Sequence, residues 1–402
     1  MREARTRARA RAGKFSARRI ADVLDGRAGY RLKAPWGHLS VLEAGGHICE
    51  LNLNACDGVN PLWRPQWKTI DPHKYSVARH SRTYGSLPDG RLLAGIAGHN
   101  LSFDYFGPPS KEEAAAGHST HGEASAVKWK FKGAPDAEGA WSAGLRGSAL
   151  LPEAQISLTR EISLDAKNPV IYCEETALNL ATFDRPICWN EHVTFGPPFV
   201  EPEITLFDMS ATRSKTCPPA YSALPLVKTN AEFNRPLAPA ARGRRLNLRT
   251  VPSVKFEHYT AQLLDPKLKL GFISACNPRA GLLVIYVFHR ADFPWVGNWV
   301  ERFQQTHAPW NGRTFCRALE FSTTPFAIPR RETVEQHQMF GERVYRWLPA
   351  KSKVAVRYMI LLFRLPNDFR GVKAVAVDAG TATVTESGPR ARTLASRVVK
   401  FL

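Results

Sequence analysis

Short runs of alternating apolar and polar residues, broken by frequent turn residues, constrain this chain more than any other feature. In residues 155–164, Ile156, Leu158, Ile162 and Leu164 share one face, with Arg160 among them. A two-residue period belongs to a strand with one buried face. Residues 353–363 repeat the pattern through Val354, Val356, Tyr358 and Ile360. Residues 282–289 are continuously apolar, as expected where both faces of a strand are covered. Two further alternating runs flank Asp378 to Gly380. With 28 glycines and 29 prolines as punctuation, many short strands predict an all-β chain, a large two-sheet antiparallel β-sandwich. Helical signals are few: one short helix is expected over 330–338, entered through Pro329, and another over 16–24. No repeat of 20–50 residues suggests a propeller or solenoid.

Charge needs to be placed along the chain before it is read. The net charge is +19, but residues 1–19 alone carry eight basic residues against one Glu. The rest is scattered, apart from a basic stretch between Arg213 and Arg249. Without aromatics interleaved on one charged face, a nucleic-acid partner is not expected. Apolar runs such as Leu282 to Phe288 are too short to cross a bilayer, so no membrane partner is expected either. The organisation predicted is a basic arm over 1–25 and one β-sandwich domain over 26–402, with a surface insertion at about 205–252. The arm is Arg-rich with no apolar core of a secretory signal; it fits a transit peptide, a flexible arm or an early start codon. Seven cysteines without C-x-x-C spacing read as buried thiols of a reducing compartment, which predicts a cytoplasmic protein.

Three clusters place chemistry-bearing residues beside strands. They are Gly117 to Glu123, containing His118 and His121; Trp189 to Pro198, containing Asn190, Glu191 and His192; and Arg317 to Pro325, containing Glu320. The order and spacing of these clusters resemble the galactose mutarotase-like (aldose 1-epimerase) superfamily. Its members show an early His-Gly, an L-x-R-x-x-x-L strand, a mid-chain Asn-x-His and a late L-E-x-x-(S/T)-x-P strand. Here these read His121-Gly122, Leu158 to Leu164 around Arg160, Asn190-Glu191-His192, and Leu319-Glu320 through to Pro325. The resemblance spans roughly residues 40 to 385.

The resemblance implies a carbohydrate-binding sandwich of the supersandwich type, a small-molecule sugar substrate and interconversion of sugar anomers, without cofactor or metal. Ring opening needs a base for the anomeric hydroxyl and an acid for the ring oxygen, roles suited to a carboxylate and an imidazole near neutral pH. By resemblance Glu320 is the base and His192 the acid, on opposite sides of C1, and His121 steadies charge at the ring oxygen. Many mutarotases carry an Arg before the His-Gly; residues 98–107 have none, and His99 and Asn100 are the expected substitutes. Glu257 and His258 stand where many mutarotases hold an Asp-His pair. Asp292 and Trp295, and Trp63 in an earlier loop, are further candidates for sugar contact. Arg64, Arg290 and Arg317 are the candidates for contacting a phosphate.

Rival readings remain open at this level. A non-catalytic carbohydrate-binding protein would share the fold, as would a lyase or a hydrolase. A glycosidase would use two carboxylates, for which Glu123, Glu191 and Glu320 are available. The set His118-x-x-His121-x-Glu123 matches metal ligands by type, but its glycines argue for a loop and not for a zinc helix.

Overall fold

The computed structural model describes residues 17–134, 141–219, 226–389 and 391–399. Among these, two large antiparallel sheets of twelve and eight strands face each other. In the larger sheet the order across the middle runs His99–Asp104, Arg185–Phe195, Phe315–Ser322, Trp295–Arg302 and Phe256–Leu264. The smaller sheet carries the alternating runs Ile156–Asp165 and Lys353–Arg364 and the continuous run Leu282–His289 recognised above, together with Val170–Asn179 between the first two. Leu101, Val193, Leu319 and Phe321 of the first sheet pack on Leu158, Ile171, Tyr286 and Tyr358 of the second. Burying apolar side chains at about 25 cal/mol per Å² is what holds the layers together.

The smaller sheet is covered on both faces. Val284 and Tyr286 point into the inter-sheet core, while Leu283, Ile285 and Val287 meet Val372, Ala382 and Val384. The latter come from a three-stranded sheet, Val372–Asp378, Thr381–Glu386 and Thr393–Arg397, packed on the outside. This double coverage explains the unbroken apolar run at Leu282–His289. The larger sheet has a different fate. Its outer face carries the polar row that forms the site.

Three expectations about organisation need correction. The helix expected over 16–24 is not found in its described part: Arg18–Leu24 is an edge strand paired with Arg27–Ala34, so this part of the expected 1–25 arm belongs to the sheet. Its signal was Asp25-Gly26, where both residues take positive φ (55° and 85°) and close a two-residue hairpin. Residues 1–16 lie outside the described residues. The expected insertion at 205–252 is woven into the sandwich: Leu206–Met209 edges the smaller sheet, and Ala211–Thr216 pairs with Phe256–Leu264 in the larger. Phe207 and Val251 enter the core, and Arg249 binds Asp208 at 2.6 Å. Short edge strands with a polar outer side lack the alternation that betrays a half-buried strand. The helix expected at 330–338 is present as Arg330–Gln336. No helix among the described residues is long and apolar enough to cross a membrane.

Candidate active site

Antiparallel register decides which side chains meet. Asn100 lies opposite His192, His192 opposite Glu320, and Glu320 opposite Gly297. Directly opposed residues project from the same face of a sheet, so this row points outward together. The next row holds Thr194, Ala318, Trp299 and Tyr259. His192 Nε2 stands 3.2 Å from Glu320 Oε1, and its Nδ1 lies 3.0 Å from Thr194 Oγ1. The acid and base candidates are therefore neighbours side by side, not groups on opposite sides of a sugar carbon.

His121 reaches the same place from a loop. It holds φ at 63°, and Gly122 follows at 69°. A Cβ on Gly122 would sit 2.0 Å from the Phe103 carbonyl oxygen, so only glycine fits beside that strand. This close approach turns the His121 imidazole over the sheet, 5.1 Å from the His192 ring, with Nδ1 2.6 Å from Ser102 Oγ.

The three groups line one pocket of about 140 Å³, walled by Trp299, Trp310, Phe106 and Tyr259 with Ile96 and Ala327. The Tyr259 hydroxyl donates to Glu320 Oε2 at 3.5 Å. It crosses above Gly297, where a Cβ would lie 2.0 Å from that hydroxyl and 2.9 Å from Glu320 Oε2. Burial raises the Glu320 carboxyl to about 8, against the opposing hydrogen bonds from Tyr259 and Asn190. Burial likewise drives His192 well below its ordinary value, helped by His121 nearby, and lowers His121 to about 4. Both directions follow from the cost of charge in a poorly solvated site.

Other expected contacts lie elsewhere. His99 faces the inter-sheet core, 2.8 Å from Glu191 Oε2 and packed on Tyr286 and Tyr358. It is one residue out of phase with the pocket. Asn100 has the right parity but is fully buried beside His192, with both amide atoms unpartnered and outside the pocket lining. His258 is also on the core side, stacked on Phe256, and burial with Arg317 near it lowers it to about 3. Glu257 shares Tyr259's face and accepts from Trp299 Nε1 at 3.1 Å and Gln305 Nε2 at 2.6 Å. It thus holds a wall of the pocket instead of lining it. Asp292 is paired with Arg346 at 2.9 Å. Trp295 is buried, its indole donating to the Arg343 carbonyl. Trp63 stacks behind Trp310 at 6.2 Å, a second layer of the aromatic wall. The metal-like set separates: His118 approaches Glu153 at 3.7 Å, whereas Glu123 accepts from the Ala154 backbone.

Sequence reasoning missed Tyr259, Phe106, Trp310, Ile96 and Ala327. Tyr259 carried a usable signal, since it lies two residues beyond Glu257 and so on its face. Trp299, opposite Tyr259 on the neighbouring strand, was missed as well, and the rest come from loops and an extended turn, for which no periodicity speaks.

Neither a protein-family model nor a curated relative matches the sequence. Solved structures do match in fold. A candidate aldose 1-epimerase from Klebsiella pneumoniae superposes with a TM-score of 0.59 at 12% identity, over 84% of this chain and 80% of that one. A galactose mutarotase-like protein from Clostridium acetobutylicum gives 0.57 at 14% identity, over 87% and 98%. A galactose mutarotase related enzyme from Lactobacillus acidophilus gives 0.53 at 10%, over 84% and 98%. Together with the two-sheet topology, these matches establish that the chain has the galactose mutarotase-like fold.

Proposed function

We propose that the protein interconverts the anomers of a sugar by acid–base ring opening, with Glu320 and His192 as the proton-transfer pair. The observation that carries this reading is their 3.2 Å contact on the floor of an aromatic-walled pocket. Aromatic faces suit the C–H face of a pyranose, and the pair supplies the polar chemistry. The anomeric and ring oxygens are both bonded to C1, so two neighbouring groups can serve them at once.

Protons must balance across the pair. With Glu320 raised and His192 lowered, the empty pocket at neutral pH holds one proton, on the carboxyl. Its transfer across the contact to His192 Nε2 yields a carboxylate base and an imidazolium acid with no proton from solvent. Glu320 then takes the anomeric hydroxyl proton while His192 protonates the ring oxygen, and the C1–O5 bond breaks. Rotation about C1–C2 and the reverse transfers close the other anomer. Thr194, against Nδ1, holds the imidazole plane, and His121 lies beside the oxygen that gains charge.

A glycosidase reading fares worse, because Glu320 is the one carboxylate among the pocket's lining residues. The deciding experiment is anomer exchange by saturation-transfer NMR over a panel of free sugars, with affinity measured separately. Acceleration lost in Glu320→Gln with binding retained supports the reading. Wild-type protein that binds a sugar and never accelerates exchange points to a carbohydrate-binding protein instead.

A further inference from the structure

Beyond C1, the pocket has little to offer a hydroxyl. Its remaining walls are Ile96, Phe106, Trp299, Trp310 and Ala327. The polar atoms nearby are mostly committed: Trp299 Nε1 donates to Glu257, His121 Nδ1 meets Ser102, His192 Nδ1 meets Thr194, and the Tyr259 hydroxyl serves Glu320. His121 Nε2, on the C1 side, and the Trp310 indole are the further ring nitrogens of the lining residues. A sugar with a full set of hydroxyls would desolvate several of them against carbon, at roughly a tenfold loss of affinity or more for each left unpaired.

Among the described residues the lining holds no Lys or Arg either. Arg64 pairs with Glu50 at 3.5 Å, away from the pocket. Arg290 is engaged by Glu342. Arg317 faces the core, bonded to Asn298 Oδ1 and to the carbonyls of Leu248 and Thr250. A phosphate dianion placed here would lose its hydration and find no counter-charge.

From this lining we infer that the pocket takes an uncharged deoxy sugar, one that lacks a hydroxyl at a position away from C1 and turns that carbon to the apolar wall. The inference rests on the sugar-site reading proposed above and narrows it to a substrate class. Hydrophobic pockets discriminate against an added hydroxyl by up to about 100-fold, so the preference is measurable.

The test titrates wild-type protein with D-glucose, its 2-, 3- and 6-deoxy analogues, D-galactose, its 6-deoxy analogue and glucose 6-phosphate. Affinity and anomer exchange are recorded for each. At least one deoxy analogue is expected to bind about tenfold tighter than its parent, and the phosphate ester about tenfold weaker than glucose. Ala327→Ser, which supplies a hydroxyl partner on the wall, should shrink the deoxy preference. Parents that bind as well as every deoxy analogue, tight binding of the phosphate ester, or no binding by any member of the panel would overturn the inference. The two readouts separate the claims: a deoxy preference in affinity without accelerated exchange defeats the mutarotase reading and leaves the substrate class standing. Accelerated exchange that favours the parent sugars defeats the substrate class alone.

Discussion

The strand Arg185–Phe195 carries a buried histidine–carboxylate pair on each of its faces, and the two pairs invite comparison. On the outer face His192 meets Glu320 at 3.2 Å; on the inner face His99 meets Glu191 at 2.8 Å. Burial lowers both histidines, His99 to about 3 with Arg160 adding to the effect, and raises both carboxylates. Residue types and protonation directions are nearly the same. What differs is what surrounds them. Glu191 also accepts from Trp189 Nε1 at 3.0 Å and faces Arg160 at 3.9 Å, while Arg160 is bound to Glu175 at 2.6 Å. Aromatic rings close over that network from the opposite sheet. The outer pair has hydrogen-bonding neighbours in Thr194, Tyr259 and Asn190, with the His121 ring beside it, and it opens into the pocket. A perturbed pair marks a functional site only when hydrogen-bonding capacity and access are left for a substrate. The inner pair belongs to a closed polar network, in which Arg160 Nη2 and Glu175 Oε2 alone keep no hydrogen-bond partner among the described residues and which the pocket does not reach.

The largest effect should come from cutting each pair in the same way. Glu320→Gln is expected to slow anomer exchange about 10²–10⁴-fold at nearly unchanged stability. Glu191→Gln should leave exchange within a few-fold, because its side chain points away from the pocket. Equal losses in both variants, measured by exchange NMR beside thermal unfolding, would erase the distinction between the faces.

Next in size is the inner network's share of stability. Arg160→Met strands Glu175 and Glu191 without their cation and should cost about 3–5 kcal/mol. Burial already raises Glu175 to about 8 despite Arg160, so the variant should be hurt most at alkaline pH. The sign follows from linkage. A folded carboxyl raised above its unfolded value destabilises increasingly as pH climbs between the two, and removing Arg160 raises it further. Denaturant unfolding at pH 6 and pH 9 checks this; a larger loss at pH 6 would contradict it.

A smaller effect probes the outer pair's setting. Gly297→Ala places a methyl where the Tyr259 hydroxyl now lies, displacing it from Glu320. Misplacement on the ångström scale can cost about 100-fold in rate. If the clash is the cause, Tyr259→Phe combined with Gly297→Ala should recover much of the loss that Gly297→Ala alone produces. A double variant as slow as the product of the singles would rule out this cause.

The mildest expected effect is on pH. On the proposed mechanism the pair is competent with one proton shared between its members. Gaining a second removes the base, and losing the first removes the acid. Because the last proton leaves at about 8 while His192 is held well below its ordinary value, exchange should be flat through neutral pH and about tenfold slower by pH 9. Exchange rates corrected for the uncatalysed reaction check the alkaline limb. A rate that climbs through pH 8 would instead mean that Glu320 acts from an unprotonated ground state.

How much of this was legible in the sequence depends on the element. Period-two runs at Ile156–Asp165 and Lys353–Arg364 announced strands of one sheet, because alternation is the direct imprint of a half-buried strand. The residues His121, His192 and Glu320 were singled out by motif order, and they do line one pocket. His99 and His258 were singled out as well, yet they face the core. Their neighbours Asn100 and Tyr259 took the outward parity. Strand parity is fixed by register, and a shift of one residue exchanges the faces. Arg18–Leu24, an edge strand, and Ala211–Thr216, one strand in from the edge, went unread because both keep polar residues on both sides.

The sequence by itself determined that the chain is built from antiparallel strands, and it named three residues, His121, His192 and Glu320, that come to line one pocket. Alternation and motif spacing are local properties, written wherever neighbouring residues must face opposite ways. Only the tertiary structure decided that His192 pairs with Glu320 and His99 with Glu191, that Tyr259 reaches over Gly297, and that Trp299 from a strand and Trp310 from a loop wall one pocket. Those outcomes depend on which strands become neighbours, and in what register, between residues far apart in the chain, as for His192 and Glu320. That choice is made by burial of the whole core, a sum over both sheets that no local stretch of sequence contains.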